Sequence, residues 1–453
     1  MKKNRCAVLA AIFGIFSFSV WGQGVGSWKS YKAYHNAVQV VETPQAVYAV
    51  YQSSYPDSYR NSSNSVIEQN GSLLSYSFND KRLQTYSLED GLNDASIRFL
   101  NYSPEANALL LVYESNNVDI FLGKHNVYNL PNLMKTAINS VDIRGKLAYL
   151  SISSGISIID LQRKEIKSTY NLDANTMATC EWNGYIWAAT TDGVYKASLN
   201  LHSSKLSDKA NWEKISFPEI NDRAITKMTI FQDHLIVDCN TGIWSYSKAG
   251  NVRQFTANSC KQLIVCNNRL FTIYYGNSLV MYPSVDSGFR VKTLDYMIEG
   301  ISASNQIQDG YWIATGKDGL VQAKIIVEED MAETIISNLQ LNSPVRNLSF
   351  NIKFAENRLL VTGGSRAANR NNILGTFMIY ENGKWLNLDK NIVAQGLPGL
   401  PDLACRDLMS AAVDPLDPHH YFVSSWGEGV YEFRDTTFLN LHSYNNSSLK
   451  TIF

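Results

Sequence analysis

A short phrase returns along the chain: two or three apolar residues, a small polar step, a glycine or asparagine, then another apolar pair. It reads Ile186-Trp187-Ala188-Ala189-Thr190-Thr191-Asp192-Gly193-Val194-Tyr195 in one place and Trp312-Ile313-Ala314-Thr315-Gly316-Lys317-Asp318-Gly319-Leu320 in another. A third copy is Phe422-Val423-Ser424-Ser425-Trp426-Gly427-Glu428-Gly429-Val430-Tyr431. Each copy predicts a hairpin, in which a β-rich strand meets a turn of Asn, Asp and Gly and a second strand follows. With the turn residue as anchor, the series is Gly71, Asn117, Gly155, Gly193, Gly242, Asn277 and Gly319. These anchors lie roughly 35 to 49 residues apart, the period of a four-stranded propeller blade. Almost no segment carries a sustained 3.6-residue apolar period, so helices should be few.

A second pattern accompanies the first. Trp28, Trp212 and Trp385 each head a Trp-x-x-apolar phrase, as a blade's outer strand would. The copy at Trp28 has no blade before it, and its natural partner is the last blade of the ring, which it would close. The acidic run Glu328-Glu329-Asp330 and the plain stretch from Ser337 to Val345 suggest a boundary there. Beyond it the pattern restarts at Leu359-Leu360-Val361-Thr362 and Gly375-Thr376-Phe377-Met378-Ile379-Tyr380, followed by the copy at Gly429. The expected fold is all-β: a seven-bladed β-propeller followed by an incomplete second β-propeller, since a closed ring needs at least about four blades. The expected divisions are a signal peptide over residues 1–22, the first propeller over 23–327 and the first blades of the second over 328–453.

Composition narrows the function. Lys2, Lys3 and Arg5 precede an apolar stretch from Ala7 to Val20, the pattern of a secretory signal, so the chain is expected to be exported. Removing the three cations takes the formal charge from −1 to about −4, and with no basic stripe to offset it, nucleic acid is not an expected partner. Cys180, Cys239, Cys260, Cys266 and Cys405 remain, an odd set without metal-site spacing. They read as buried free thiols, with one bridge among Cys239, Cys260 and Cys266 as the alternative.

Candidate chemistry is sparse. No nucleophile elbow, zincin or P-loop motif occurs, and no catalytic residue, cofactor or metal site is expected. His419-His420 follow Asp414-Pro415-Leu416-Asp417-Pro418 and read as exposed histidines on a proline-shaped turn. Asp90, Asp192 and Asp318 precede glycines and read as turn formers. Trp187, Trp244 and Trp312 sit at similar repeat positions and read as packing between blades. The excursion from Tyr51 to Gln69 sets Tyr51, Tyr55 and Tyr59 among serines. One candidate binding element remains: the acid-free, Asn-rich loop from Gly363 to Gly375, where the guanidinium forks of Arg366 and Arg370 could receive an anionic sugar or phosphate.

The blade phrase alone is similar to the propeller repeats of periplasmic sensors in hybrid two-component regulators. A more specific likeness lies in Gly26-Ser27-Trp28-Lys29-Ser30-Tyr31, Tyr86-Ser87-Leu88-Glu89-Asp90-Gly91-Leu92-Asn93-Asp94 and Leu109-Leu110-Leu111-Val112-Tyr113. It continues in Cys405-Arg406-Asp407-Leu408-Met409, Val413-Asp414-Pro415-Leu416-Asp417-Pro418 and the run from Tyr421 to Phe433. In these the chain resembles the PorZ family of the type IX secretion system. The resemblance implies a non-enzymatic protein of the cell-surface attachment complex, with the sortase PorU, PorV and PorQ as partners. It also implies delivery of anionic lipopolysaccharide to the sortase and a place peripheral to the outer membrane. Family members carry two seven-bladed propellers and a C-terminal β-sandwich that serves as the export signal. This sequence is expected to stop inside the second propeller, which makes the periplasm its alternative location. The competing reading is a periplasmic sensor or glycan-binding propeller of the two-component regulator kind.

Overall fold

The computed structural model describes residues 29–53, 71–133, 135–274, 278–286, 290–293, 295–326, 331–366, 372–396 and 405–450. The signal segment, Trp28, Asn277, most of the Tyr51–Gln69 excursion and Arg370 lie outside them. Among the described residues nine four-stranded antiparallel sheets follow one another, each made of four consecutive strands. Sheets 1 to 7 span residues 36–86, 97–129, 138–171, 176–215, 225–256, 262–293 and 300–336, and sheets 8 and 9 span 351–389 and 408–442. The described α-helices are short, Ser203–Leu206 and Lys390–Gly396.

The recurring glycine marks one structural position, the entry to the third strand of a sheet. Gly155, Gly193, Gly242 and Gly429 each open such a strand, and Gly71, Asn117, Gly319 and Gly375 directly precede one. The demand is steric. Gly242 and Gly429 have φ of +116° and +122°, and a Cβ would stand 1.9 and 2.0 Å from the carbonyl oxygens of Thr256 and His442. The fourth strand runs too close for a side chain, so the anchor is glycine for two reasons at once. Trp212 and Trp385 stand at or in fourth strands, as their phrase predicts.

The first strands of sheets 1 to 7 touch one another in chain order, and the first strand of sheet 7, Gly300–Ser304, returns to that of sheet 1, Asn36–Glu42. They run in the same direction, because side chains link start to start and end to end. Asn139 donates to the Thr176 carbonyl and Gln262 to the Glu299 carbonyl at one end, while Ser304 donates to Glu42 at the other. Each pair of neighbouring sheets has its own apolar core. Leu110, Ile120, Leu150 and Ile159 fill that between sheets 2 and 3, for example, and Phe271, Ile273, Tyr311 and Ile313 that between 6 and 7. Burying each such side chain stabilises the fold by about 1.5–3 kcal/mol. The first strands surround a central cavity of about 1440 Å³.

Two linked expectations are corrected here. The acidic run was read as a domain boundary, yet Met331–Ile336 pairs with Leu320–Ile326 as the fourth strand of sheet 7. Sheet 7 therefore runs on to Ile336, beyond the bound expected at 327/328. The outer place in sheet 7 is thus filled from within the sheet and needs no strand from around Trp28. An acidic run suits a strand connection as well as a linker, so the run alone could not separate the two. The seam with sheet 1 is made otherwise. Ala37 and Gly316 exchange backbone hydrogen bonds at 2.9 Å each, and Tyr34, Val40, Val47 and Tyr51 pack with Trp312 and Leu320.

The stretch before sheet 8 is equally well tied. The Tyr34 amide donates to Ser343 Oγ at 2.9 Å and the Ala33 amide to Asn347 Oδ1 at 2.8 Å, while Asn387 donates to the Ser343 carbonyl. The Tyr31 ring lies 4.8 Å from that of Tyr380 and 5.6 Å from that of Trp385. Sheets 8 and 9 share a core of Phe377, Ile379, Tyr421, Val423 and Phe433. On the opposite face of sheet 8, Ile352 is in register with Val361 and Phe354 with Leu359. There Val345, Val361, Met378 and Trp385 are buried together, but Phe350, Ile352 and Phe354 are 44%, 60% and 71% exposed.

Candidate functional site

The loop after the second strand of sheet 8 begins at Gly364, where a Cβ would meet the Leu408 backbone at 2.0 Å. That close approach brings the loop onto the start of sheet 9, and there it meets Asp407. Asp407 is fully buried with φ +50°. Its carboxylate accepts from Ser365 Oγ at 2.7 Å and from the backbone amides of Asn372 and Ile373 at 2.9 Å each. Its amide donates to the Ile373 carbonyl, and its carbonyl accepts from the Trp426 amide. One carboxylate thereby pins both ends of a loop that has no acid of its own.

A second acid serves the neighbouring backbone. Glu428 accepts from the Arg406 amide at 2.9 Å and from Tyr431 Oη at 2.7 Å, and Tyr431 Oη in turn accepts from the Cys405 amide. Burial, then the Glu428 charge, push the Tyr431 phenol up, so it remains a donor. Arg366 is exposed, and its guanidinium lies 5.0 Å from the centre of the Trp426 ring. An indole face holds a guanidinium plane without consuming its N–H donors. Of the two arginines singled out by sequence, Arg366 is therefore placed as an exposed donor on an aromatic platform, and Arg370 lies outside the described residues. Asp407, Glu428 and Trp426 are the residues that sequence reasoning missed. They lie inside the Cys405–Phe433 run, but no spacing rule links them to a loop some forty residues upstream.

The histidine pair is corrected in part. His419 and His420 lie in the strand Asp417–Ser425 rather than on the turn before it; His419 is exposed as read, whereas His420 is buried. His420 is 9% exposed; its Nδ1 is 3.0 Å from Asp414 Oδ2 and its Nε2 2.7 Å from Glu432 Oε1. His442 Nε2 lies 2.7 Å from the other Glu432 oxygen. Hydrogen bonds to Glu432, then to Asp414, raise the His420 pKa, and Glu432 is lowered chiefly by His442. The pairing register sets Glu432 opposite Phe422 and Asn440, so each histidine reaches it diagonally.

The remaining residues keep structural roles. Trp187 and Trp312 are buried and Trp244 is packed against the core of sheets 4 and 5. Asp192 accepts from Tyr195 Oη at 2.5 Å within its own turn, and Asp90 pairs with Lys124 at 2.7 Å. The five described cysteines are free thiols; Cys180, Cys239, Cys260 and Cys405 are buried and Cys266 half-buried. Burial pushes the Cys260 and Cys266 thiols up to about 12, which leaves little reactive thiolate.

Comparison with known proteins follows this geometry. A family profile described as the type IX secretion PorZ N-terminal β-propeller domain matches residues 67–213. The solved structure of PorZ from Porphyromonas gingivalis, described as an essential bacterial surface component of the type IX secretion system, superposes with a TM-score of 0.78 at 22% identity. The match covers 94% of this chain and 54% of that one, so the chain spans about half the length of that relative. The extracellular domain of the putative hybrid two-component system BT3049 from B. thetaiotaomicron gives a TM-score of 0.45 at 10% identity, over 89% of this chain and 52% of that one. A search of the curated proteins returned no match. The all-β fold of four-stranded sheets and the matched segment lead to one conclusion: over residues 67–213 this chain is similar to the N-terminal β-propeller domain of the PorZ family.

Proposed function

We propose that this protein is a non-enzymatic component of the cell-surface attachment complex of the type IX secretion system, and that it presents anionic lipopolysaccharide to the sortase PorU. The observation that carries the reading is the PorZ family match over residues 67–213. The superposition over nearly the whole chain supports the fold beneath it. In this reading sheets 1 to 7 form a closed seven-bladed propeller, and sheets 8 and 9 are the first blades of a second one. The exposed apolar face of sheet 8 supports that assignment, since the corresponding side of sheet 1 is covered by sheet 7.

PorU, PorV and PorQ are the proposed partners, at the outer membrane. The chain's signal segment would direct export. Arg366 on its indole platform, with Arg370, is the proposed contact for the anionic sugar or phosphate. The test is recovery from outer membranes: a tagged chain should co-purify with the sortase, and recovery of none of the three partners would exclude the reading. Replacing both arginines with glutamine should weaken retention of purified anionic lipopolysaccharide and leave sortase recovery unchanged.

A further inference from the structure

The first strand of sheet 8, Asn351–Ala355, is an open edge. Among the described residues it pairs with Arg358–Gly363 on one side and with no strand on the other. Asn351, Ile352, Lys353 and Phe354 are all exposed, and no other described first strand is exposed at four consecutive positions. Such an edge offers a row of backbone donors and acceptors to a further strand. Its side chains divide by face. Phe350, Ile352 and Phe354 extend the apolar side, in line with Leu359 and Val361. Lys353 turns to the other side, its Nζ 3.5 Å from the Ala411 carbonyl of sheet 9.

The apolar series reads the same in both directions: Phe350, Ile352, Phe354 at every second position. A two-fold axis between antiparallel strands reverses the chain, so a strand suits its own copy when its pattern survives reversal. With the axis at Ile352, Phe350 of each copy faces Phe354 of the other, and Lys353 faces Asn351. Moving the axis to Lys353 would set two ammonium groups opposite each other, which is destabilising. The remaining open surface of this half, the outward side of sheet 9, is a poor match for the same strand. It carries Glu432, His442, Asn440 and Ser424 around Phe422 and Val430. Packing Ile352 and Phe354 there would strip water from a histidine–carboxylate cluster.

We propose that two copies of this chain associate through the first strands of sheet 8, paired antiparallel about a two-fold axis at Ile352. The two sheets then continue as one of eight strands, with a ladder of backbone hydrogen bonds at the joint and cross-strand packing among six apolar side chains. The contact is isologous, so it closes at the dimer and leaves no free edge to propagate. It is also small, below the roughly 1,200 Å² of a standard interface, which places half-dimerisation on the order of tens of micromolar. The inference rests on sheet 8 alone and stands whether or not the attachment reading holds.

The test is oxidative cross-linking of the full chain with oxidised glutathione. Opposed residues of an antiparallel pair bring their Cβ atoms to about 4.5–5.5 Å, close enough for a disulfide after a small adjustment. Ile352→Cys should therefore yield a covalent dimer. Phe354→Cys should not, since its two copies would stand about 13 Å apart along the strands. Phe350→Cys mixed with Phe354→Cys should cross-link one to the other. The parent, whose described cysteines are buried or half-buried, and Leu416→Cys, at a position 93% exposed, measure random encounter. Sedimentation velocity should show association that stops at the dimer. Ile352→Lys, which opposes two ammonium groups, should raise the concentration of half-dimerisation by about tenfold or more. Thermal unfolding identifies a misfolded variant, and should Ile352→Lys misfold, Phe354→Lys must weaken association instead. A monomer at several hundred micromolar, growth past the dimer, or cross-linking of Phe354→Cys as fast as of Ile352→Cys would overturn the proposal.

Discussion

Glu42 receives the Trp312 indole N–H at 2.7 Å and so joins residues 270 positions apart across the seam between sheets 1 and 7. The same carboxylate accepts from Ser304 Oγ at 3.1 Å and from the Asn305 amide at 2.8 Å. Glu42 is 7% exposed and Trp312 is 1% exposed. Replacing Glu42 with alanine strands the buried Trp312 and Ser304 donors, at about 1–3 kcal/mol for each buried group left unsatisfied. The urea midpoint should fall in the order parent, Glu42→Gln, Glu42→Ala. An unchanged midpoint in Glu42→Ala would show that the seam is held by packing alone.

The histidine–carboxylate cluster predicts a pH window for sheet 9. His420 is raised, so its contribution is complete below the ordinary imidazole value of 6.5 and is lost as pH rises through the elevated one. Glu432 is lowered, so its contribution is complete above the ordinary 4.5 and is lost as pH falls through the depressed one. Both are present between about 4.5 and 6.5. The stability difference between the parent and His420→Asn should be greatest there and shrink toward alkaline pH, as read by thermal unfolding across a pH series. A flat difference would remove the cluster from the energetics.

Gly429→Ala tests the steric origin of the repeat. The substitution combines a backbone region that costs about 1–3 kcal/mol outside glycine with a contact at 2.0 Å to the His442 carbonyl. Hydrogen exchange should speed up in the fourth strand, Thr437–His442, ahead of any change in sheets 1 to 7.

The open face of sheet 8 predicts self-association. Exchanging Ile352 and Phe354 for serine removes two exposed apolar side chains without emptying the core. Sedimentation should show less association with an unchanged thermal midpoint. A lowered midpoint would mean that the face is buried in the free chain.

The repeat was legible because its glycine answers a local steric demand that recurs in several sheets, as at Gly155, Gly242 and Gly429. Gly155, Gly193, Gly242 and Gly319 therefore stand where their spacing puts them. The seam was not legible, since Glu42 and Trp312 carry no mark of each other and their pairing is a product of closure. The same holds for Asp407, whose task depends on where Gly364 lets the loop descend. The last strand of sheet 7, Met331–Ile336, was not legible because the acidic run Glu328-Glu329-Asp330 reads in sequence as a linker and as a strand connection equally. Arg366 could be singled out by type, but its platform, Trp426, is brought to it only by the pairing of sheets 8 and 9.

Because each sheet is built from consecutive strands, any one of them can form as soon as its own residues are available. The seam alone must wait. Sheet 1 holds its half of the Tyr51–Trp312 core with no partner until the far end of the run, near Ile336, has folded. Closing so long a loop is the slowest kind of contact a chain makes. Ring closure should therefore be the last event in folding, and the uncovered side of sheet 1 is the surface a chaperone would meet until then.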